Sequence, residues 1–493
     1  MSPKRLTARF RKSIVAMGKL LMYAGAVTLL MMTLFTYYPD SALGPRGNWL
    51  LVGSYLLSLF VFGRVYGAFN IGAARVAELL YSGILTLSVV NVLMYLQFCL
   101  NARELVSPLW LGLSTLAQMA YMGVLTLALH RLYLAIFPLR DVIAICRNPL
   151  ERETFFQRTQ LHEKYVVKEI ISADSTLGEL LKQIEDYHSV MLCDLSNELT
   201  HELLVYCYAH EKRVYILPDV PQLLINQGSF IQIFDTPLLQ LKNKSMDLEQ
   251  VVIKRAMDIL ISGLLLLLAF LPCLLIGLLI KCTDGGHVFY TQKRVTKGGK
   301  IFRLIKFRSM VADAESGGAI KSTGATDPRV TWIGKFIRPT RIDEIPQLLN
   351  VLGGSMSLVG PRPERVENVA EYSALLPEFT LRLKVKAGLT GYAQVYGKYN
   401  TSPRDKLNMD LYYIERYSLW RDVLLLIMTP KVLLLQDSTE GFDPIVDLSE
   451  QVAVNQSVRQ ARRQAAEATM QPIPVPRGNP LPPEDAPGED TPS

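Results

Sequence analysis

The residues best suited to chemistry in this 493-residue sequence lie in one stretch, Thr340-Arg341-Ile342-Asp343-Glu344-Ile345-Pro346-Gln347-Leu348-Leu349-Asn350. An ionised aspartate is a nucleophile and a neighbouring carboxylate can hold Mg2+, so Asp343 and Glu344 could form a covalent intermediate and keep a metal beside it. Most Asp-Glu pairs, however, are solvated surface or helix caps, and the pair alone does not decide between these uses. Pro346 suits the first position of a short helix running to Gly353-Gly354, which would set both carboxylates at or just before its N-terminus, where the dipole favours negative charge. The surroundings are basic: from Lys293 to Arg365 fourteen Lys and Arg face six Asp and Glu, while the whole chain carries a net charge of only +7. Such a patch holds lipid head groups or phosphate substrates, and charge alone favours the lipid heads.

The elements that must position these residues begin in apolar sequence. Four blocks, Leu20 to Tyr37, Trp49 to Phe69, Leu79 to Leu100 and Leu109 to Leu129, each approach the ~20 residues needed to span a bilayer,. The first is too long for a cleavable signal and reads as a retained anchor. Lys4, Arg5, Arg9, Arg11 and Lys12 precede the blocks, Arg64 and Arg75 flank the second loop and Arg131 and Arg140 follow the exit, whereas the other two loops carry only Arg46 and Arg103. The positive-inside rule then places both protein ends in the cytoplasm, with Trp49 and Trp110 at the interfaces.

From Asp141 to Asn243 short alternating runs at Asp141 to Cys146, Tyr165 to Ile171, Ser189 to Asp194 and Arg213 to Leu217 are separated by helical stretches such as Leu177 to Tyr187. That order predicts a Rossmann-like α/β layer. A nucleotide-binding version needs a glycine-rich turn after its first strand, and here the chain reads Cys146-Arg147-Asn148-Pro149, so the layer reads as a structural or regulatory module,. The next apolar segment, Ile259 to Ile280, is long enough to cross a membrane, yet Lys254 and Arg255 precede it and Lys281, Lys293, Arg294, Lys297 and Lys300 follow it. Basic flanks on both sides and a kinking Pro272 suit a helix that enters one leaflet and returns, while hydropathy alone favours a fifth crossing. A last apolar run, Val423 to Leu435, is too short to span, contains Pro430 and suits the membrane interface,. Six scattered cysteines without a Cys-x-x-Cys pair read as buried thiols in a reducing compartment,.

Four motifs then follow in order: Lys306-Phe307-Arg308-Ser309-Met310, the Asp343-Glu344-Ile345-Pro346-Gln347 stretch, Ser357-Leu358-Val359-Gly360-Pro361-Arg362-Pro363-Glu364, and Gly388-Leu389-Thr390-Gly391-Tyr392-Ala393-Gln394-Val395. Together they closely resemble the bacterial sugar transferase family, the monotopic phosphoglycosyl transferases. With the four helices and the α/β layer added, the chain resembles the large polysaccharide-initiating subfamily, the undecaprenyl-phosphate hexose-1-phosphate transferases. The resemblance implies an enzyme in which Asp343 attacks the sugar-bearing phosphorus of a UDP-sugar, releases UMP and passes the phosphosugar to polyprenyl (undecaprenyl) phosphate, starting exopolysaccharide, capsule or O-antigen synthesis. It also implies that Glu344 holds Mg2+ and that Arg338 and Arg362 hold phosphate. Lys306, Arg308 and Arg341 join them as substrate-binding candidates, and Pro361 and Pro363 shape the turn that presents Arg362. The sequence departs from the family pattern at Leu271, where Ser usually precedes the helix-breaking proline, at Ser355, where Asp is frequent, and at Ala387, where Pro is frequent.

The expected architecture is a membrane protein of α plus α/β class: a four-helix transmembrane domain (1–140), a Rossmann-like soluble module (141–245), and a catalytic domain (246–449) with a re-entrant membrane helix at 256–280 and interfacial amphipathic helices. A Pro-, Gln- and Ala-rich disordered tail (450–493) follows,. The protein is expected in the bacterial inner (plasma) membrane as a multi-pass protein, catalytic domain facing the cytoplasm, with membrane lipids but no nucleic acid as partners and a homodimer as one option. A transporter or flippase of lipid-linked sugars and a non-enzymatic assembly scaffold are the competing functions. Few polar residues interrupt the four blocks, which argues against a transport path, and the motif-dense end argues against a scaffold.

Overall fold

The computed structural model describes residues 3–38, 44–72, 74–137, 140–147, 165–226, 228–233, 235–241, 246–311, 329–397 and 401–434. Four long helices come first: α1 (Pro3–Tyr37), α2 (Gly44–Tyr66), α3 (Val76–Ala102) and α4 (Leu109–Ile136). α1, α3 and α4 run beyond their apolar blocks, whereas α2 begins before Trp49 but ends at Tyr66, short of Phe69, where Gly67 takes a φ of +74°,. α1 packs on α4, α2 on α3 and α3 on α4 around a core that includes Leu30, Leu34, Tyr55, Leu59, Leu87 and Met94. At mid-bundle the Asn91 amide donates to Gln118 (2.8 Å) and the Gln118 amide donates to the Ala26 carbonyl (3.0 Å), tying α3 and α4 to α1. Leu50, Leu57, Leu116 and Val124 instead point outward. Each such side chain left in water would forgo about 1.5–3 kcal/mol of burial, so the outer surface is made for hydrocarbon. Five helices are long and apolar enough to cross a membrane, these four and a later one within 248–284, and the chain is a membrane protein.

Strands β1 (Arg140–Cys146), β2 (Tyr165–Ser172), β3 (Ser189–Cys193) and β4 (Arg213–Ile216) form one parallel sheet in the order β2-β1-β3-β4. Helices α5 (Leu177–Glu185), α6 (Asn197–Ala209) and α7 (Val220–Ile225) connect and follow them. Alternation sorts β1: Ile143 and Ile145 join Leu180, Ile184, Leu203 and Cys207 on one face, while Ala144 and Cys146 join Val167 and Cys193 on the other,. Both faces are covered, as parallel sheets require. Asn148 and Pro149 of the glycine-free turn lie outside the described residues, as does the 450–493 tail. Strands β5 (Ser229–Ile233) and β6 (Thr236–Gln240) make an antiparallel hairpin.

Helix α8 (Leu248–Asp284) runs 37 residues, about 55 Å at 1.5 Å per residue, from an Asp247/Gln250 capping box to Gly285, whose φ of +70° ends it,. Pro272 lies inside it. Its first turns are clamped to the segment 351–358: Asp258 accepts from the Ser357 hydroxyl (3.1 Å) and the Leu358 N–H (3.0 Å), and Arg255 donates to the Val351 and Leu352 carbonyls (2.7 Å each). Its last turns pack Ile276 and Ile280 against Phe307, Ile333 and Ile337. Between these ends Leu264, Leu267, Leu268, Phe270, Leu271 and Leu274 are exposed.

The remainder is an α/β fold with small sheets. β7 (Phe289–Val295) and β8 (Ile301–Phe307) pair antiparallel; α9 (Trp332–Ile337), α10 (Gln347–Leu352), β9 (Ser357–Val359) and α11 (Val366–Leu375) come next. β10 (Gly388–Thr390) pairs parallel with β9, and α12 (Tyr392–Tyr396), α13 (Pro403–Glu415) and α14 (Leu419–Leu434) complete it. Val351, Met356, Leu358, Phe379, Leu407, Leu411 and Leu425 form the core. Lys431 on α14 donates to the Tyr66 carbonyl (2.9 Å) and pairs with Glu78 (3.0 Å), joining α14 to the ends of α2 and α3. Leu435, the expected end of the last apolar run, lies outside the described residues.

Candidate active site

A 3-10 turn over Ile342–Glu344 carries the two carboxylates immediately before α10. Arg341 enters it at φ +53°, a left-handed conformation that costs a non-glycine residue about 1–2 kcal/mol,. Successive side chains in a 3-10 turn point about 120° apart, so the neighbours diverge: Glu344 is buried and Asp343 half-buried,. Pro346 caps α10 with a φ of −60° instead of being its first residue, which leaves the carboxylates where the sequence places them.

Three cations converge on Glu344. Its Oε1 accepts from Lys306 Nζ on β8 (2.7 Å) and from Arg362 Nη2 (2.9 Å), and Arg341 Nη1 lies 3.8 Å from Oε2. Burial alone would raise its pKa, but Arg362, Lys306 and Arg341 outweigh it and hold the carboxyl below the usual range,. Asp343 goes the other way. Burial and the Glu344 charge push it up to about 6 against the pull of Lys306, Arg338 and Arg341. The dyad is thus polarised into a permanent anion and a half-buried carboxyl that is ionised at neutral pH.

The donors suit Mg2+. Among the described residues no group of three or more His, Cys, Asp or Glu could cage a metal. Mg2+ commonly takes one or two carboxylates and fills its other positions with water and substrate phosphate. Glu344 Oε2, 3.8 Å from Arg341 Nη1, and the Asp343 carboxylate provide that number.

Arg362 is aimed by its backbone. The Pro361 carbonyl accepts from the Gly388 N–H (2.9 Å), the Arg362 carbonyl from Arg382 (3.0 Å), and the Pro363 carbonyl from Arg294 (3.0 Å), so three consecutive carbonyls are tied. Gly360, Gly388 and Gly391 sit so close that a Cβ on any of them would collide with backbone, which accounts for the glycines of the last two motifs,. Burial lowers the Arg294 pKa to about 10, helped by Arg362 and Arg365, which leaves it charged. Two departures from the family pattern meet at Thr296: its hydroxyl donates to the Ser355 carbonyl (2.9 Å) and accepts from the Ala387 N–H (3.1 Å), a bond no proline could make,.

Lys306, Arg341, Asp343, Glu344 and Arg362 are therefore brought together, with Arg338 close enough to act on Asp343 electrostatically and Pro361 and Pro363 buried behind the turn. The Arg308 guanidinium rests against Gly286. Sequence reasoning missed the supports. Asn350 accepts from the Ile305 N–H (3.0 Å) and donates to the Arg303 carbonyl (2.9 Å), clamping the strand that carries Lys306. Buried Lys254 bridges Asp422 (2.5 Å) and the Val359 carbonyl (3.1 Å). Asn350 closes the Thr340–Asn350 stretch that carries the dyad, but only its packing shows its task.

Comparison with known proteins places this constellation. Residues 249–436 match the family model described as bacterial sugar transferase. The chain is 44% identical over 186 residues to the UDP-N-acetylgalactosamine-undecaprenyl-phosphate N-acetylgalactosaminephosphotransferase of Aeromonas hydrophila, covering 37% of this chain and 44% of the relative. It is 33% identical over 268 residues to the UDP-glucose:undecaprenyl-phosphate glucose-1-phosphate transferase of Escherichia coli K12, covering 51% and 57%. With the undecaprenyl-phosphate galactose phosphotransferase of Salmonella typhimurium LT2 it shares 34% over 278 residues, covering 52% and 57%. The chain thus spans about half the length of the relatives it matches. The residues that match the bacterial sugar transferase model contain the Asp343-Glu344 dyad and every cation around it.

Proposed function

We propose that the chain is a phosphoglycosyl transferase that moves a sugar-1-phosphate from a UDP-sugar to polyprenyl (undecaprenyl) phosphate. The observation that carries this reading is the geometry of the dyad: a half-buried Asp343 beside a Glu344 held by Lys306 at 2.7 Å and Arg362 at 2.9 Å, with Arg341 3.8 Å away. An Asp343 carboxylate oxygen attacks the sugar-bearing phosphorus. A P–O bond to the carboxylate forms as the bond to the bridging oxygen breaks, and UMP leaves with that oxygen and its electron pair. A polyprenyl phosphate oxygen then attacks the same phosphorus, the carboxylate leaves, and polyprenyl diphosphate sugar is released. Arg338, Arg341 and Arg362 bind and orient the phosphates and offset charge as it builds, and Lys306 holds Glu344. Bound Mg2+, held by Glu344 with Asp343, would supply further neutralisation of phosphate charge.

Residues 246–449 form the catalytic domain in this reading, after a four-helix transmembrane domain (1–140) and a Rossmann-like module (141–245). Helix α8 is the re-entrant element. Both of its ends pack on the catalytic fold while its apolar middle is bare, an arrangement suited to a helix that dips into one leaflet and returns rather than crossing,. The catalytic domain then faces the cytoplasm at the inner membrane, where membrane lipids cover the bare leucines. Cysteines introduced at Val252 and Lys300, both exposed, should label from the same side; labelling from opposite sides removes the re-entrant reading.

The decisive experiment incubates the purified protein with Mg2+ and a panel of UDP-sugars. One of them should yield UMP and a phosphosugar adduct on Asp343 that disappears when polyprenyl phosphate is added. Absence of UMP across the panel favours a transporter or scaffold, and an adduct on another residue overturns the assignment of Asp343.

A further inference from the structure

Arg382 lies outside all four motifs, on the 3-10 segment Pro377–Lys384, and is 3% exposed. Its Nε and Nη2 donate to Asp410 Oδ2 at 2.9 and 2.7 Å, and Nη1 lies 3.7 Å from Glu364 Oε1. The guanidinium sits 4.8 Å over the Phe379 ring. Asp410, on α13, is 1% exposed; burial raises its pKa, and Arg382 opposes that rise. Burying two charges is costly, and an apolar pair of the same volume would commonly stabilise a core as well, so stability alone does not account for this pair.

Its remaining bond does. Arg382 Nη2 also donates to the Arg362 carbonyl at 3.0 Å, the middle one of the three tied carbonyls, and Arg362 in turn reaches Glu344 at 2.9 Å. A planar guanidinium presents its donors in a rigid fork, so the Asp410 carboxylate and the Arg362 carbonyl are met from fixed directions, whereas an ammonium is a compact charge with rotatable donors,. We propose that Arg382, oriented by Asp410, is a positioning residue: it holds the Pro361-Arg362-Pro363 turn so that the Arg362 side chain meets Glu344 and the phosphates beside it. Arg382 touches no reacting atom in this scheme and acts only through Arg362. The proposal rests on the transferase reading.

A double-mutant cycle in the full-length protein, read as UMP release at saturating Mg2+, tests it. Arg382→Lys should lower kcat/KM by about tenfold or more while the melting temperature stays near that of the wild type. In an Arg362→Gln background the same change should cost less than about twofold, because the side chain it positions is already gone. If Arg382→Lys melts early, Asp410→Asn, which keeps the volume and loosens the guanidinium, replaces it in the cycle with the same expectation. Equal losses in both backgrounds mean a general packing role and overturn the proposal, as does full activity of a folded Arg382→Lys. A wild-type protein that releases no UMP from any UDP-sugar would instead count against the transferase reading.

Discussion

The parallel sheet of β1 to β4 and the fold around Asp343 bury different things. Within the sheet and its helices the buried residues are Ile, Leu, Val, Ala and Cys, with only Ser189 and Thr200 as buried polar side chains among the described residues. Around the dyad Asp258, Glu344, Arg382, Asp410, Glu415 and Asp422 are all buried, as is Lys254. Apolar burial needs no partner and tolerates small shifts, whereas a buried charge must keep a partner within hydrogen-bond distance or lose several kcal/mol. The first region is organised to persist and the second to hold atoms in place.

The largest effect that could break this contrast is at the dyad. Asp343→Asn keeps the shape and removes the attacking charge, so turnover should fall by about 10³-fold or more. Glu344→Gln should also lose turnover, with excess Mg2+ restoring a little. Substantial turnover by Asp343→Asn would end the covalent scheme.

Next comes the buried scaffold. Asp422→Ala takes the counter-ion from Lys254 and the carboxylate from the Tyr413 hydroxyl, which donates to it at 2.7 Å, and leaves both only the Val359 carbonyl among the hydrogen bonds of the described residues. A loss of about 3–5 kcal/mol is expected from an orphaned buried charge. Ile143→Val in the sheet core should cost only about 0.5–1.5 kcal/mol. Equal costs, read from denaturant unfolding in detergent, would erase the distinction between the regions.

A third test is pH. Because Asp343 is pushed up to about 6 and must be ionised to attack, UMP formation should be intact above that pH and fall about tenfold per unit below it,. Magnesium beside the carboxylate moves this limb downward, and Lys306→Gln, which removes a charge that favours ionisation, moves it upward. A limb that ignores Lys306 would mean that another group titrates.

The smallest effect belongs to the contact between the regions. Arg404 on α13 pairs with Asp219 and lies 3.6 Å from Asp194, both at the carboxyl edge of the sheet, and all three side chains are about a third exposed. Arg404→Gln should cost about 0.2–1 kcal/mol and change UMP release by less than about threefold. A tenfold change would show that the sheet module governs the chemistry.

Much was legible before folding because it is local. Apolar runs of bilayer length mark the long helices, alternation marks β1 to β4, and the order of four motifs marks the transferase segment. Local pattern also placed Asp343 and Glu344 at the start of a short helix. At α8 hydropathy favours a crossing while the basic flanks and Pro272 favour a return, because hydropathy measures length and not where the two ends dock. Local pattern could not show that one of the two adjacent carboxylates is buried among three cations and the other half-buried. Lys306, Glu344 and Arg362 meet only because β8, the 3-10 turn and the proline turn pack against one another, and Arg382 finds Asp410 only because α13 lies under the segment that carries it. Sequence alone determined which residue types were available and which elements they form. The tertiary structure decided which charges pair, because pairing depends on distances of a few ångströms between segments far apart in the chain, and no local periodicity encodes those distances.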